Sequence, residues 1–248
     1  MVLEATHIAK SFGDNQVLTD ITFRLLEGTI VVLMGTNGSG KTTLLNILSG
    51  FLKPDKGEMR LNGTRINGFE PNIINQKGIG RTFQDMRLVE NMTVLENVLL
   101  AFPKQKGEKW WKALLPMGDV IREQQKNLHK ANEILSTCFI ADIAHSMAGE
   151  ISYGQQKLLN LACCMACGTS VWLLDEPVAG VNPKYREMLS DVIKQEKNKG
   201  ISLLIIEHNS DFITDVADEI LFLNEGKLRK FQSYEAYRNN KKVKEAYV

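Results

Sequence analysis

The segment GTNGSGKT, Gly35 to Thr42, fits the spacing G-x-x-x-x-G-K-[ST]. Loops of this composition wrap phosphates, because glycine lets successive backbone N–H groups turn toward one anion at the positive end of a helix. The candidate phosphate site therefore comprises Gly35, Thr36, Asn37, Gly38, Ser39, Gly40, Lys41, Thr42 and Thr43. Lys41 supplies a cation for the β- and γ-phosphates, and the Thr42 hydroxyl can ligate Mg²⁺. Farther along, VWLLDEP (171–177) ends an apolar run in two adjacent carboxylates. Asp175 at that position would orient Mg²⁺ and its waters, and Glu176 would polarise a water attacking the γ-phosphate, a general-base role.

A second anion site is suggested by ISYGQQK (151–157). Ser152, Tyr153, Gly154 and Gln155 precede an apolar helical stretch, and a polar helix start with free N–H groups can grip an anion. It lies more than a hundred residues beyond the glycine-rich loop, so the two raise the question of whose anion it holds.

These residues need rigid elements to position them. TIVVLM (29–34) is a continuous apolar run, the pattern of a strand buried on both faces. A helix is expected from about Lys41 to Ser49, with Gly50 as its C-cap. Residues 1–33 read as short strands and turns, with Gly13-Asp14-Asn15 marking a hairpin-like turn, and 57–83 as further short strand-like pieces. From Asp85 to about Ala148 the texture becomes helical, in 92–102 and 121–140 above all. Leu158 to Leu174 splits into a helix ending at Gly168 and a buried strand. Strands at 171–175 and 201–207 flank a polar helix near 183–199, and such alternation implies a parallel α/β sheet.

Bulk composition narrows the function. The chain of 248 residues is 44% hydrophobic and carries a formal net charge of +1, enough for a sizeable core and no support for nucleic-acid binding through bulk charge. No segment reads as membrane-spanning, so a membrane role would be borrowed from partner chains. The start, MVLEATHIAKSF, lacks the build of a signal peptide, which favours a cytoplasmic location. Cys164 and Cys167 form a CxxC, but with Cys163 they share one face of an apolar helix and are expected to pack in the core.

Taken in order, GTNGSGKT, Gln84 in RTFQ, ISYGQQK, LLDEP, AGVNP (179–183) and His208 in IIEHN resemble ATP-binding-cassette ATPases over essentially the whole chain. The resemblance implies an α/β fold with a RecA-like P-loop NTPase core, an N-terminal antiparallel β subdomain and an inserted α-helical subdomain. One cassette would span 1–248, with 1–84 and 153–248 forming the core and β subdomain and 85–152 the helical subdomain. ATP and Mg²⁺ are the implied cofactors. Phe12 resembles the aromatic that stacks on adenine, with Val17 beside it, and Gln84 the glutamine that touches Mg²⁺ or the lytic water. His208 resembles the switch histidine that contacts the γ-phosphate. The resemblance further implies that two such subunits dimerise head to tail, as homodimer or heterodimer, so that ISYGQQK meets the ATP of the partner. Tyr153 replaces a usual glycine, Asn182 a common aspartate, and Cys163 stands where an arginine is common.

SYGQQ and AGxNP, the long helical insertion and the tail EAYRNNKKVKEAYV look most similar to the ATP-binding subunits of branched-chain amino acid importers. That implies two transmembrane permease subunits, an extracytoplasmic solute-binding protein and a peripheral place on the cytoplasmic side of the cell membrane. Motors of other transporters, such as envelope-lipid extractors, and non-transport ATPases of iron–sulfur assembly are the alternatives. The lysine- and tryptophan-rich stretch 103–119 is read as a solvated connector, with lipid or partner contact as the competing possibility.

Overall fold

The computed structural model describes residues 2–82, 88–103 and 117–246. Gln84, Trp110 and Trp111 lie outside the described residues, and with them the expectations attached to those side chains. The chain runs β1 (Leu3–Phe12), β2 (Asn15–Leu25), β3 (Ile30–Gly35), α1 (Lys41–Leu48), β4 (Lys56–Leu61), β5 (Thr64–Arg65), α2 (Pro71–Lys77) and β6 (Ile79–Arg81). There follow the helices α3 (Val94–Leu100), α4 (Met117–Thr137) and α5 (Tyr153–Cys167). The chain continues with β7 (Val171–Asp175), α6 (Pro183–Asn198), β8 (Ser202–Ile206), α7 (Ser210–Val216), β9 (Glu219–Asn224), β10 (Lys227–Phe231), α8 (Tyr234–Asn239) and α9 (Lys241–Ala246).

Two compact units emerge, one of 1–84, 169–180 and 193–248, the other of 85–168 and 181–192. The first holds both sheets. An antiparallel sheet has the order β2-β1-β4-β5, and a six-stranded sheet the order β10-β9-β3-β8-β7-β6. The latter is parallel except where β10 folds back on β9. β3, β7 and β8 are buried at every residue, which explains why they read as unbroken apolar runs rather than alternating ones. One apolar cluster joins Leu3, Ile8 and Leu18 of the antiparallel sheet to Val31 and Leu33 of β3 and to Leu44, Leu45, Ile47 and Leu48 of α1. The helix after the glycine-rich loop is thus held through its apolar face, each buried Leu or Ile contributing about 1.5–3 kcal/mol.

The expected hairpin turn sits between Phe12 and Asn15, which pair across it. β1 and β2 run longer than short strand pieces, and α1 stops at Leu48 with Ser49 as its cap. EILFLN and KLRKF, which sequence inspection leaves unassigned, form β9 and β10. β9 lies beside β3, so the loop-bearing strand is central rather than at an edge.

The second unit packs α5 against α3 and α4. A capping box at Thr93 and Glu96 starts α3. Buried Asn97 accepts from Val89 N and donates to the carbonyls of Val89, Met92 and Thr93, fixing the approach to that helix. The limits of this unit differ from 85–152 by including α5 and 181–192. Cys138 Sγ lies 3.5 Å from Met165 Sδ, and burial pushes the Cys163 thiol up to about 12 and that of Cys164 higher than an ordinary thiol. Thiolates are disfavoured there, so these cysteines act as small apolar residues.

Candidate active site

Parallel register brings the chemistry of the first unit to one edge. Leu33 of β3 and Asp175 of β7 both stand beside Ile206 of β8, so the loops leaving these strands emerge together at their carboxyl ends. Those loops carry Thr36 to Gly40, Glu176, and Glu207 with His208.

Local sterics dictate the glycines. A Cβ on Gly35 would lie 2.3 Å from the Leu223 carbonyl oxygen, and Gly40, at φ 101°, would push one to 2.9 Å from Val17 and Leu18 side-chain carbons. Val17 therefore helps to shape the loop from the hairpin side. Lys41 Nζ donates to the carbonyls of Gly35 (2.8 Å) and Thr36 (2.9 Å), leaving a third N–H. Burial lowers its pKa from the usual lysine range, and Glu176 and Asp175 partly oppose that through their charge. Both carboxylates therefore act on the ammonium of the loop. The Ser39 hydroxyl is buried with no hydrogen-bond partner among the described residues, Thr42 is exposed and Thr43 half-buried. Asn37 and Gly38 form the exposed tip, while Thr36 Oγ1 reaches Asn224 Oδ1 at 3.5 Å.

Asp175 is 5% exposed and its N–H donates to Thr82 Oγ1 (3.2 Å). Glu176 has φ 49°, unusual for a residue with a side chain, and its N–H donates to the Ile206 carbonyl (3.0 Å). Backbone strain of this kind clusters at functional sites. Phe12 is 51% exposed at the end of β1, with Lys10 Nζ 5.6 Å from its ring centroid. His208 is exposed just beyond β8.

Inspection of the sequence misses Glu207. Its carboxylate is buried and accepts N–H donors from Val178 (3.0 Å), His208 (2.7 Å) and Asn209 (3.0 Å). One side chain thus ties the turn after Glu176 to the loop of His208. An acid ending an apolar strand was the available signal, overshadowed by the histidine next to it.

In the second unit Ser152 caps α5. Its Oγ accepts from Gln155 N (3.4 Å) while Gln155 Oε1 accepts from Ser152 N (2.8 Å), a reciprocal capping box. Tyr185 also belongs to this cluster: its hydroxyl is 3.5 Å from Ser152 Oγ, and a Cβ on Gly154 would stand 2.4 Å from its ring. Asn182 Oδ1 accepts from Tyr185 N (3.1 Å), which gives the asparagine a local role in starting α6. Tyr153 is 45% exposed, and Lys157 Nζ lies 5.4 Å from its ring centroid.

The glycine cradle, the lysine and the helix start suit a nucleotide's phosphates. Hydroxyl and carboxylate oxygens at Thr42 and Asp175 are hard donors suited to Mg²⁺. No group of three or more His, Cys, Asp or Glu among the described residues could cage a metal. A magnesium ion here would take the rest of its shell from phosphate and water, its common habit in nucleotide sites.

Residues 18–179 match the family model described as ABC transporter. The chain is 32% identical over 248 residues to the high-affinity branched-chain amino acid transport ATP-binding protein BraF of Pseudomonas aeruginosa, covering 100% of this chain and 97% of that one. It is 34% identical over 248 residues, with the same coverage, to the high-affinity branched-chain amino acid transport ATP-binding protein LivG of Salmonella typhimurium. Among solved structures, a nucleotide-free ATP-binding cassette from an ABC transporter aligns with TM-score 0.83 and 31% identity, over 100% of this chain and 98% of that chain. With the fold, the glycine loop and the paired carboxylates all in register, the chain belongs to the ABC transporter family as an ATP-binding ATPase subunit.

Proposed function

We propose that this ATPase powers import of branched-chain or related hydrophobic amino acids, or their amides, through a membrane permease. The carrying observation for the chemistry is the parallel register of β3, β7 and β8, which brings the glycine loop, the Asp175–Glu176 pair and the loop of His208 out at the same carboxyl ends. For the substrate class, support comes from full-length similarity to relatives named for branched-chain amino acid transport.

In this reading, the Gly35–Gly40 backbone and Lys41 bind the β- and γ-phosphates, Thr43 and the start of α1 complete the cradle, and Phe12 stacks on adenine beside Val17. Thr42 and Asp175, with Gln84, hold Mg²⁺, which when bound offsets phosphate charge. Glu176 orients water and accepts its proton, and His208 donates toward the γ-phosphate. Ser152, Tyr153, Gly154 and Gln155 face the nucleotide of a second cassette in a head-to-tail dimer. No described helix is long and apolar enough to cross a membrane. Two permease subunits would therefore provide the path and hold the cassettes at the cytoplasmic face, with an extracytoplasmic binding protein delivering solute.

Deleting the gene and measuring uptake of labelled leucine, isoleucine and valine tests the assignment. Uptake is expected to fall and to return with the wild-type chain but not with Glu176→Gln. Unchanged uptake of all three, with consistent failure to co-purify with detergent-solubilised permeases, would count against it.

A further inference from the structure

Arg81, the last residue of β6, is half-buried, with its side chain packed beside the candidate metal carboxylate. Its Nη1 donates to Asn46 Oδ1 (2.7 Å) in α1 and to Ser49 Oγ (2.9 Å) at the cap of that helix. Nη2 stands 3.7 Å from Asp175 Oδ2, and both side chains are 6% exposed. Ser49 Oγ itself donates to the Leu45 carbonyl (2.6 Å), so its lone pairs face the guanidinium. The Phe51 ring, its centroid 5.8 Å away, flanks the same group.

Burying a guanidinium carries a desolvation penalty, and an apolar residue could tie α1 to β6 without it. What an apolar residue could not do is set a cation 3.7 Å from a carboxylate oxygen while hydrogen-bonding two α1 oxygens from one rigid planar group. The helix so hydrogen-bonded carries Thr42, and the strand end so ion-paired carries Asp175. Magnesium demands near-ideal octahedral geometry, so the relative placement of these two oxygens matters more than for most ions.

We propose that Arg81 is a positioning residue for the metal: anchored on Asn46 and Ser49, it sets the Asp175 carboxylate relative to Thr42. This rests on reading Asp175 and Thr42 as metal ligands. Positioning and plain electrostatics make opposite forecasts. A cation beside Asp175 repels a divalent ion, so electrostatics alone makes metal binding tighter when Arg81 is neutralised. Loss of alignment makes it weaker.

The test measures Mn²⁺ binding to the nucleotide-loaded protein from the free-ion EPR signal, with nucleotide affinity in EDTA measured in parallel. Arg81→Gln is expected to weaken Mn²⁺ binding about tenfold or more, the usual range for residues that orient metal ligands. Asn46→Ala, which keeps the cation but removes one of its two anchors, is expected to shift it in the same direction. Nucleotide affinity in EDTA should stay near wild type in both. Unchanged or tighter Mn²⁺ binding in Arg81→Gln overturns the proposal, as does an equal loss of nucleotide affinity in EDTA. Should Arg81→Gln fail to fold, wild-type Mn²⁺ affinity in Asn46→Ala overturns it instead. Asp175→Asn separates the two claims. Unchanged Mn²⁺ binding in that variant removes the metal-ligand reading itself. Weakened binding there, with wild-type binding in Arg81→Gln and Asn46→Ala, removes only the positioning role.

Discussion

Glu176 combines a carboxylate with a backbone at φ 49°, pinned by its N–H on the Ile206 carbonyl. Glutamine keeps the shape and the strain but cannot accept a proton. Glu176→Gln is therefore expected to keep ATP affinity within a few-fold and lose about 10²–10⁴-fold in turnover, read by a phosphate-release assay. Lys41 yields a pH prediction. Burial holds its pKa below the usual lysine range, and bound phosphates favour the charged form. Nucleotide binding should then take up a proton as pH rises through that lowered pKa, and affinity should fall above it. Calorimetry in buffers of different ionisation enthalpy reads this uptake, and Lys41→Ala should abolish it along with most of the affinity. The chemistry proposed at Lys41, Asp175 and Glu176 is suggested by the sequence because each motif is local. Arg81, Glu207 and Tyr185 are not, since their partners Asp175, Val178 and Ser152 meet them only through the fold.

At the scale of elements, turns and helix starts are set by single contacts. Gly154→Ala would drive a methyl into the Tyr185 ring at 2.4 Å, with an expected loss of about 1–3 kcal/mol in chemical denaturation. Tyr185→Ala in the same chain should recover part of that loss. Glu207 joins two loops through three N–H donors, so Glu207→Gln, which turns one acceptor into a donor, is expected to destabilise by about 1–3 kcal/mol. Turnover should fall with it, while nucleotide affinity at the glycine loop stays close to wild type. Buried strands β3, β7 and β8 were readable as apolar runs. β9 is buried at Ile220 to Leu223 yet shorter in apolar signal, and it follows a short helix that gives no strong boundary, so its place beside β3 comes only from the register.

For the whole molecule, the sequence offers two candidate phosphate-binding features, the glycine loop in one unit and the Ser152 helix start in the other. In the proposed head-to-tail pair of chains, the second feature would take as its ligand the γ-phosphate on the loop of the partner. Tyr153 is exposed beside the Lys157 ammonium, so its side chain is accommodated there without burial. The ordered series of motifs made the family legible, whereas the partner chains and the transported solute are recognised by surfaces whose chemistry no motif encodes. Mass measured by light scattering on Glu176→Gln tests the shared-site account most directly. With ATP and Mg²⁺ the mass is expected to double from that of one 27.9 kDa chain, and Ser152→Ala in the same background should weaken the doubling. A single-chain mass at saturating ATP, in a variant that binds nucleotide, would contradict it.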